Sequence, residues 1–258
     1  MPELPDLEVI SKNLNKKIAH QKLINIELLV DRKSNASEQE LQHALTGKVL
    51  NQIFRTGKEL HFSFSEGVTL GLHLMLHGEI KIADKDDQVK HTILKLTFPS
   101  SSLVLTDWQK QATPTLNPEP SSVPDALDQS FNRQYLMTAL AKKKGEIKSV
   151  LMDQKFVRGI GNAYADEILY KASISPMSIA IKLDEPAITS LHNSIIEVLN
   201  NAISSITSAD PDRISGENRE FMEVHRPKTK NTKKGEQILI NEKGGRKSYY
   251  VESQRSYT

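Results

Sequence analysis

Between residues 22 and 108 the apolar residues come in short runs, mostly five to nine long, with turn-forming residues between them. Leu23–Leu29, Val49–Phe54, Leu60–Phe64, Val68–Leu76, Ile93–Phe98 and Leu103–Leu105 are the clearest, and several alternate with polar residues. That length and period exclude long amphipathic helices over this stretch and predict a β-sandwich or barrel.

The flanks obey a different period. Leu7, Ile10, Leu14 and Ile18 are spaced by three and four, which predicts an amphipathic helix. Pro5 and Asp6 suit its first turn, where a missing N–H costs nothing and an acid meets the positive helix end. Thr113 to Pro124 holds four prolines in twelve residues and reads as a linker and domain boundary. Helices are expected over 132–143, 145–152, 163–171 and 185–204. The last carries the stripe Leu191, Ile195, Ile196, Leu199. Near the end, Gln237–Ile240 and Ser248–Val251 flank Glu242-Lys243-Gly244-Gly245, a hairpin pattern. There is no internal repeat.

The 258 residues include no cysteine, which excludes disulfides, thiol catalysis and cysteine-based metal sites. No apolar stretch approaches the roughly 20 residues that span a bilayer, and no basic-then-apolar leader precedes Glu3 and Asp6, so a cytoplasmic location is expected. Net charge is only +2, but it is unevenly spread. From His225 onward nine Lys/Arg face three acids, giving that segment +6 and leaving −4 for the rest. A solvated basic tail explains such a run more often than nucleic-acid binding does, so the tail alone decides nothing.

Two features point to chemistry. Pro2 follows the initiator Met, and Met removal would leave a secondary amine. A terminal amine titrates near about 8, well below lysine at about 10.4, and the positive end of the following helix favours the uncharged form further. Such an amine can attack the anomeric carbon of a sugar and form an iminium, with Glu3 moving protons. Met-Pro starts are also common without any such role. The second feature is Gly159-Ile160-Gly161-Asn162 ahead of a helical pattern. The glycines permit a sharp turn, Asn162 is expected as the helix cap, and the free N–H groups form a phosphate site. An ordinary interhelical turn has the same pattern, but no strand precedes it, which argues against a dinucleotide fold.

Taken together these residues resemble the formamidopyrimidine-DNA glycosylase and endonuclease VIII family. The matching pieces are Pro2-Glu3-Leu4-Pro5, Arg55-x-Gly57-Lys58, His73-Leu74 with Gly78, and Lys148-x-Val150-Leu151-x-Asp153-Gln154. Gly159-x-Gly161-Asn162-x-Tyr164-Ala165-x-Glu167 and Gly245-Arg246 complete them, in family order over nearly the whole chain. The resemblance implies an α+β fold: an N-terminal helix with a two-layered β-sandwich (1–124), a helix-two-turn-helix domain (125–216), and a C-terminal β-hairpin (217–258). It further implies a bifunctional glycosylase and lyase without a cofactor, acting as a monomer on damaged double-stranded DNA. Pro2 would be the Schiff-base nucleophile, Glu3 the proton carrier, and Lys58 a contact to the lesion or its flanking phosphate. Asn162, Gly161 and Arg246 would grip phosphates around an extruded nucleotide, with Lys148 a secondary phosphate contact and His73 a family position of structural kind beside the DNA.

The chain departs from the pattern in places. The four cysteines of the usual zinc finger are absent, which resembles the zincless-finger branch, and Ile238, Ile240, Tyr249 and Val251 are expected to hold the hairpin by packing. Asp6 stands where glutamate is usual in the formamidopyrimidine branch. Leu76 is expected to fill the void left by the extruded base. The customary Arg and Phe of that void are replaced by Asp107-Trp108-Gln109-Lys110-Gln111, leaving Gln109 or Lys110 to meet the orphaned base. Trp108 is expected to pack, with a wedge role as the alternative. His73 and His77 lack a third ligand, so no metal is expected. Glu3-Leu4-Pro5 favours oxidised purines as substrates; oxidised pyrimidines, or lesion binding without excision, are the competing readings.

Overall fold

The computed structural model describes all 258 residues, which divide into two compact units. The first comprises Met1–Pro120 together with Ile206–Glu217, and the second Ser121–Ser205 together with Asn218–Thr258. The hairpin segment lies within the second of these units; a lone two-stranded hairpin has too little apolar area to fold by itself.

In the first unit, α1 (Leu4–Ile18) follows the predicted stripe: Leu7, Ile10, Leu14 and Ile18 are each at most 1% exposed. Each such side chain contributes roughly 1.5–3 kcal/mol of burial. Two antiparallel four-stranded sheets form the sandwich. One is ordered β1 (Asn25–Leu28), β6 (Thr92–Thr97), β7 (Ser102–Thr106), β5 (Glu79–Ala83). The other is ordered β2 (Leu50–Thr56), β3 (Glu59–Phe64), β4 (Thr69–His73), β8 (Thr113–Leu116). Leu60, Phe62, Leu70, Leu72, Leu94, Leu96, Leu103 and Leu105 from both sheets share one core with α1. Strand β8 takes the first four residues of the expected linker: Pro114 sits opposite Leu72 in an edge strand. An edge strand leaves one side of its ladder unpaired, so a proline that lacks an N–H is tolerated there. A short helix, α2 (Glu38–Leu45), capped by Ser37, also went unpredicted.

The second unit holds α3 (Arg133–Leu140), α4 (Ile147–Met152), α5 (Asn162–Lys171) and most of the long α6 (Glu185–Ala209). The hairpin pairs β9 (Leu239–Lys243) with β10 (Arg246–Tyr250). Its two-residue turn is Gly244-Gly245, with φ of 59° and 71°. Both values lie in the left-handed region that a primed turn demands, and that only glycine enters freely. Val224, Ile238, Tyr249 and Val251 form a small core beneath it, whereas Ile240, expected there, is 55% exposed. Ile240 is the cross-strand partner of Tyr249 and shares its face of the ribbon, but it lies nearer the turn than Ile238 and the small core does not extend to cover it.

Candidate nucleic-acid interface and reaction centre

In the first unit the chain enters α1 through Pro2 and Glu3, both buried, with Glu3 only 4% exposed. Glu3 is the N-cap residue, and its backbone N–H donates to the Asp6 carboxylate at 3.0 Å. Asp6 is fully buried, so the carboxylate one methylene shorter than usual serves as a local clamp that fixes the Glu3 backbone at the helix start. The Met1 ammonium pairs with the Glu217 carboxylate, a partner that no motif foreshadows.

The Arg55-x-Gly57-Lys58 motif explains itself in the fold. Arg55 at the end of β2 donates to Glu8 Oε2 on α1 (3.1 Å) and to the Gly57 carbonyl (3.1 Å), which ties the β2–β3 turn to the helix. Gly57 there has φ of 59°, and Lys58 is 9% exposed. The register of β3 on β4 sets Glu59 opposite His73. Burial pushes the His73 imidazole below the usual histidine range; Glu59 opposes that shift and Lys58 adds to it. Its Nδ1 accepts the Met75 N–H at 3.0 Å, so His73 organises the next turn and leaves only its other nitrogen for anything outside.

That turn presents Leu76. Gly78 N–H donates to the Leu74 carbonyl at 2.8 Å, and a Cβ at Gly78 would lie 2.1 Å from the same oxygen. Glycine is required for so close an approach. Leu76 is 59% exposed at the tip. A second exposed tip is Trp108-Gln109-Lys110. Beneath it Asp107, 1% exposed, accepts the N–H groups of Gln109 (2.8 Å), Gln111 (2.7 Å) and Ala112 (2.8 Å). Trp108 corrects the packing expectation: it is 59% exposed and touches only the His77 ring among aromatics, with centroids 4.9 Å apart. The two tips therefore meet through His77 and Trp108. An aspartate heading a polar run is a recognised turn former, and that signal could have marked Asp107 beforehand.

In the second unit, Gln154 shapes the glycine turn. Its Oε1 accepts the Gly159 N–H at 2.9 Å, and its Nε2 donates to Ile160 O at 2.8 Å and Met152 O at 2.9 Å. Gly159 has φ of 102°. The cap of α5 is Gly161, which has no side chain to offer, and Asn162 is the first helical residue rather than the expected cap. Asn162 Oδ1 is buried without a hydrogen-bond partner. Arg246 is exposed at the hairpin turn. Lys148, expected at a phosphate, is corrected by its surroundings. It is 5% exposed, and its Nζ lies 2.7 Å from Asp166 Oδ1 while donating to Lys247 O (2.9 Å) and Ser248 Oγ (3.0 Å). An ammonium has three donors, and all three face protein groups here. No three His, Asp or Glu side chains group as metal ligands, and no helix is long and apolar enough to cross a membrane.

Comparison with known proteins agrees with this layout. Residues 1–113 match the formamidopyrimidine-DNA glycosylase N-terminal domain, and residues 123–211 match the formamidopyrimidine-DNA glycosylase H2TH domain. The chain is 35% identical over 213 residues to the formamidopyrimidine-DNA glycosylase of Lactococcus lactis subsp. lactis, covering 79% of this chain and 78% of that one. It is 30% identical over 273 residues to the formamidopyrimidine-DNA glycosylase of Pelotomaculum thermopropionicum, covering 97% of both. Among solved structures, the complex of Lactococcus lactis Fpg with abasic-site DNA superimposes with TM-score 0.86 at 30% identity, over 96% of this chain and 97% of that one. A mutant of the same protein with Fapy-dG-containing DNA gives 0.85 at 30% identity, over 97% and 98%.

Proposed function

The chain belongs to the formamidopyrimidine-DNA glycosylase family, and from that membership we infer that it is a bifunctional base-excision repair enzyme for oxidised purines. It releases formamidopyrimidines and 8-oxoguanine from double-stranded DNA and then cuts the strand, working as a monomer in the cytoplasm. The observation that carries the reading is the buried Pro2-Glu3 start, clamped by Asp6 at the head of α1.

Once Met1 is removed, the Pro2 nitrogen lone pair attacks C1′ of an extruded nucleotide. As that N–C1′ bond forms, the C1′–O4′ bond opens and Glu3 protonates O4′. The bond to the damaged base then breaks, the base leaving with that bond's electron pair and the proton shed by the Pro2 nitrogen, so that a protein-bound iminium remains. Loss of a C2′ proton expels the 3′ phosphate, and water finally hydrolyses the iminium to restore Pro2. Lys58 in the β2–β3 turn contacts the lesion or its phosphate. Asn162, Gly161 and Arg246 hold phosphates, a sequence-blind grip suited to an enzyme that must act anywhere. Leu76, Gln109 and Lys110 occupy the space that the base vacates.

An excision panel tests the substrate class. Duplexes bearing 8-oxoguanine or a formamidopyrimidine are expected to release base at least tenfold faster than duplexes bearing an oxidised pyrimidine. The reverse order would transfer the chain to the endonuclease VIII type, and no release from any duplex would leave a lesion-binding protein.

The exposed Trp108 offers an independent optical check, because it is the only tryptophan in the chain. As a wedge it stacks on a base, and aromatic stacking on nucleobases contributes about 1–3 kcal/mol. Its emission is expected to fall on binding an abasic-analogue duplex, and far less on binding intact duplex at matched occupancy. Equal emission in both complexes contradicts the wedge.

A further inference from the structure

The buried charges of the second unit are left unused by the chemistry above. Helix α5 carries Asp166 and Glu167, 1% and 7% exposed, and each carboxylate gathers separate stretches of chain. Asp166 Oδ1 faces the Lys148 ammonium of α4 at 2.7 Å. Its Oδ2 meets His225 Nδ1 at 2.8 Å and accepts the Tyr249 N–H of β10 at 3.2 Å. Lys148 in turn donates to Lys247 O and Ser248 Oγ of the same strand. The His225 and Tyr249 rings close the group edge-on, with centroids 4.8 Å apart. Glu167 accepts the N–H groups of Glu223 (2.8 Å), Val224 (2.8 Å) and His225 (2.7 Å). Burial pushes the Glu167 carboxyl upward, and those three donors pull it back.

Charges buried this deeply rarely add net stability, since desolvation offsets their attraction; their best-attested use is to fix one register. The register fixed here is informative. Asp166 lies one helical turn after Asn162 on α5, a rise of about 6 Å. Lys247, Ser248 and Tyr249 directly follow Arg246 on β10. The network thus joins the helix that begins with Asn162 to the strand that begins with Arg246. The apolar core under the hairpin, Val224, Ile238, Tyr249 and Val251, is too small to set that spacing alone.

We propose that Asp166, with Lys148, His225 and Ser248, is a positioning group that holds Arg246 at a fixed separation from Asn162. In this chain it takes the mechanical part that a bound metal plays in small modules where ligands cross-link chain segments. The proposal rests on the reading of Asn162 and Arg246 as phosphate contacts. Asp166 itself touches no DNA.

A double-mutant cycle on duplex binding tests it, with a tetrahydrofuran abasic analogue as the probe. Arg246→Ala and Asp166→Asn are each expected to raise Kd about tenfold or more. Because Asp166 acts through Arg246, the double variant is expected to bind within about twofold of Arg246→Ala alone. Losses that multiply in the double variant would overturn the proposal, as would undiminished binding by either single variant. Asp166→Asn is also expected to keep the wild-type rate of borohydride trapping at saturating protein, which separates positioning from general damage to the fold. If Asp166→Asn does not fold, Ser248→Ala and His225→Phe each remove one arm. They are expected to weaken binding two- to fivefold, again with no further loss on the Arg246→Ala background. Wild-type trapping is scored separately: its absence sinks the excision chemistry of the previous section, whereas the binding cycle alone decides the part assigned to Asp166.

Discussion

Glu3→Gln is expected to lower base release by about 10²–10⁴-fold, the usual worth of a positioned proton carrier, while duplex binding stays within a few-fold of wild type. The structure makes this substitution unusually clean. The Asp6 carboxylate accepts the Glu3 backbone N–H, and the Glu3 side chain in turn accepts the Asp6 backbone N–H, a bond that a glutamine amide oxygen can also accept, so glutamine leaves the helix entry intact. Glu3 is 4% exposed, and a neutral amide of the same shape adds no buried charge. What the variant loses is a group able to give and take a proton beside the opening sugar. Single-turnover excision measures the loss directly. A Glu3→Gln rate above a tenth of wild type would show that the proton comes from elsewhere.

Asp107→Ala is expected to be the costliest single change outside the apolar core, and for a different reason. The Asp107 carboxylate accepts three backbone N–H groups and is 1% exposed. Removing a shared acceptor leaves donors to find water or stay unpaired, at about 1–3 kcal/mol for each one that stays buried. Ala112, at 2% exposed, lies where water reaches least, while the Gln109 and Gln111 ends of the loop can be resolvated. A total loss of roughly 3–5 kcal/mol follows, lowering the melting temperature by on the order of 10 °C. The same loop bears Trp108, Gln109 and Lys110, so loosening it is also expected to abolish any emission difference between abasic and intact duplex. Calorimetry showing a drop under about 2 °C would mean that the loop is held by other contacts.

The parts of the molecule that the sequence disclosed are those governed by local period. The stripe Leu7, Ile10, Leu14, Ile18 and the Gly244-Gly245 turn each contain their own explanation within a few residues, and both were found where expected. Helix α2 was missed because only Leu41 and Leu45 of it are buried, too few for a stripe. Strand β8 was missed because Pro114 signals a break unless one knows that the strand lies at an edge. The site errors share one cause. Lys148 reads as a phosphate ligand until its partner Asp166, eighteen residues away, is seen beside it. Trp108 reads as core because large aromatic residues usually are, and only the Asp107 turn reveals that it is lifted outward. Asn162 reads as a cap because its type favours that position, whereas Gly161 takes the place and leaves the Asn162 oxygen unpartnered. Residue type announces chemistry, but burial and distant partners decide whether that chemistry is spent inside the protein.

The central claim is that a secondary amine at the mature start of the chain bonds to C1′ of the sugar. Borohydride reduction in the presence of abasic-site duplex, followed by proteolysis and mass spectrometry of the cross-linked peptide, tests this most directly. The account predicts a single adduct on the Pro2 nitrogen of protein lacking Met1, and none in a preparation that retains Met1. An adduct mapped to Lys58 or any other lysine, or equal capture by Met1-bearing protein, would contradict it.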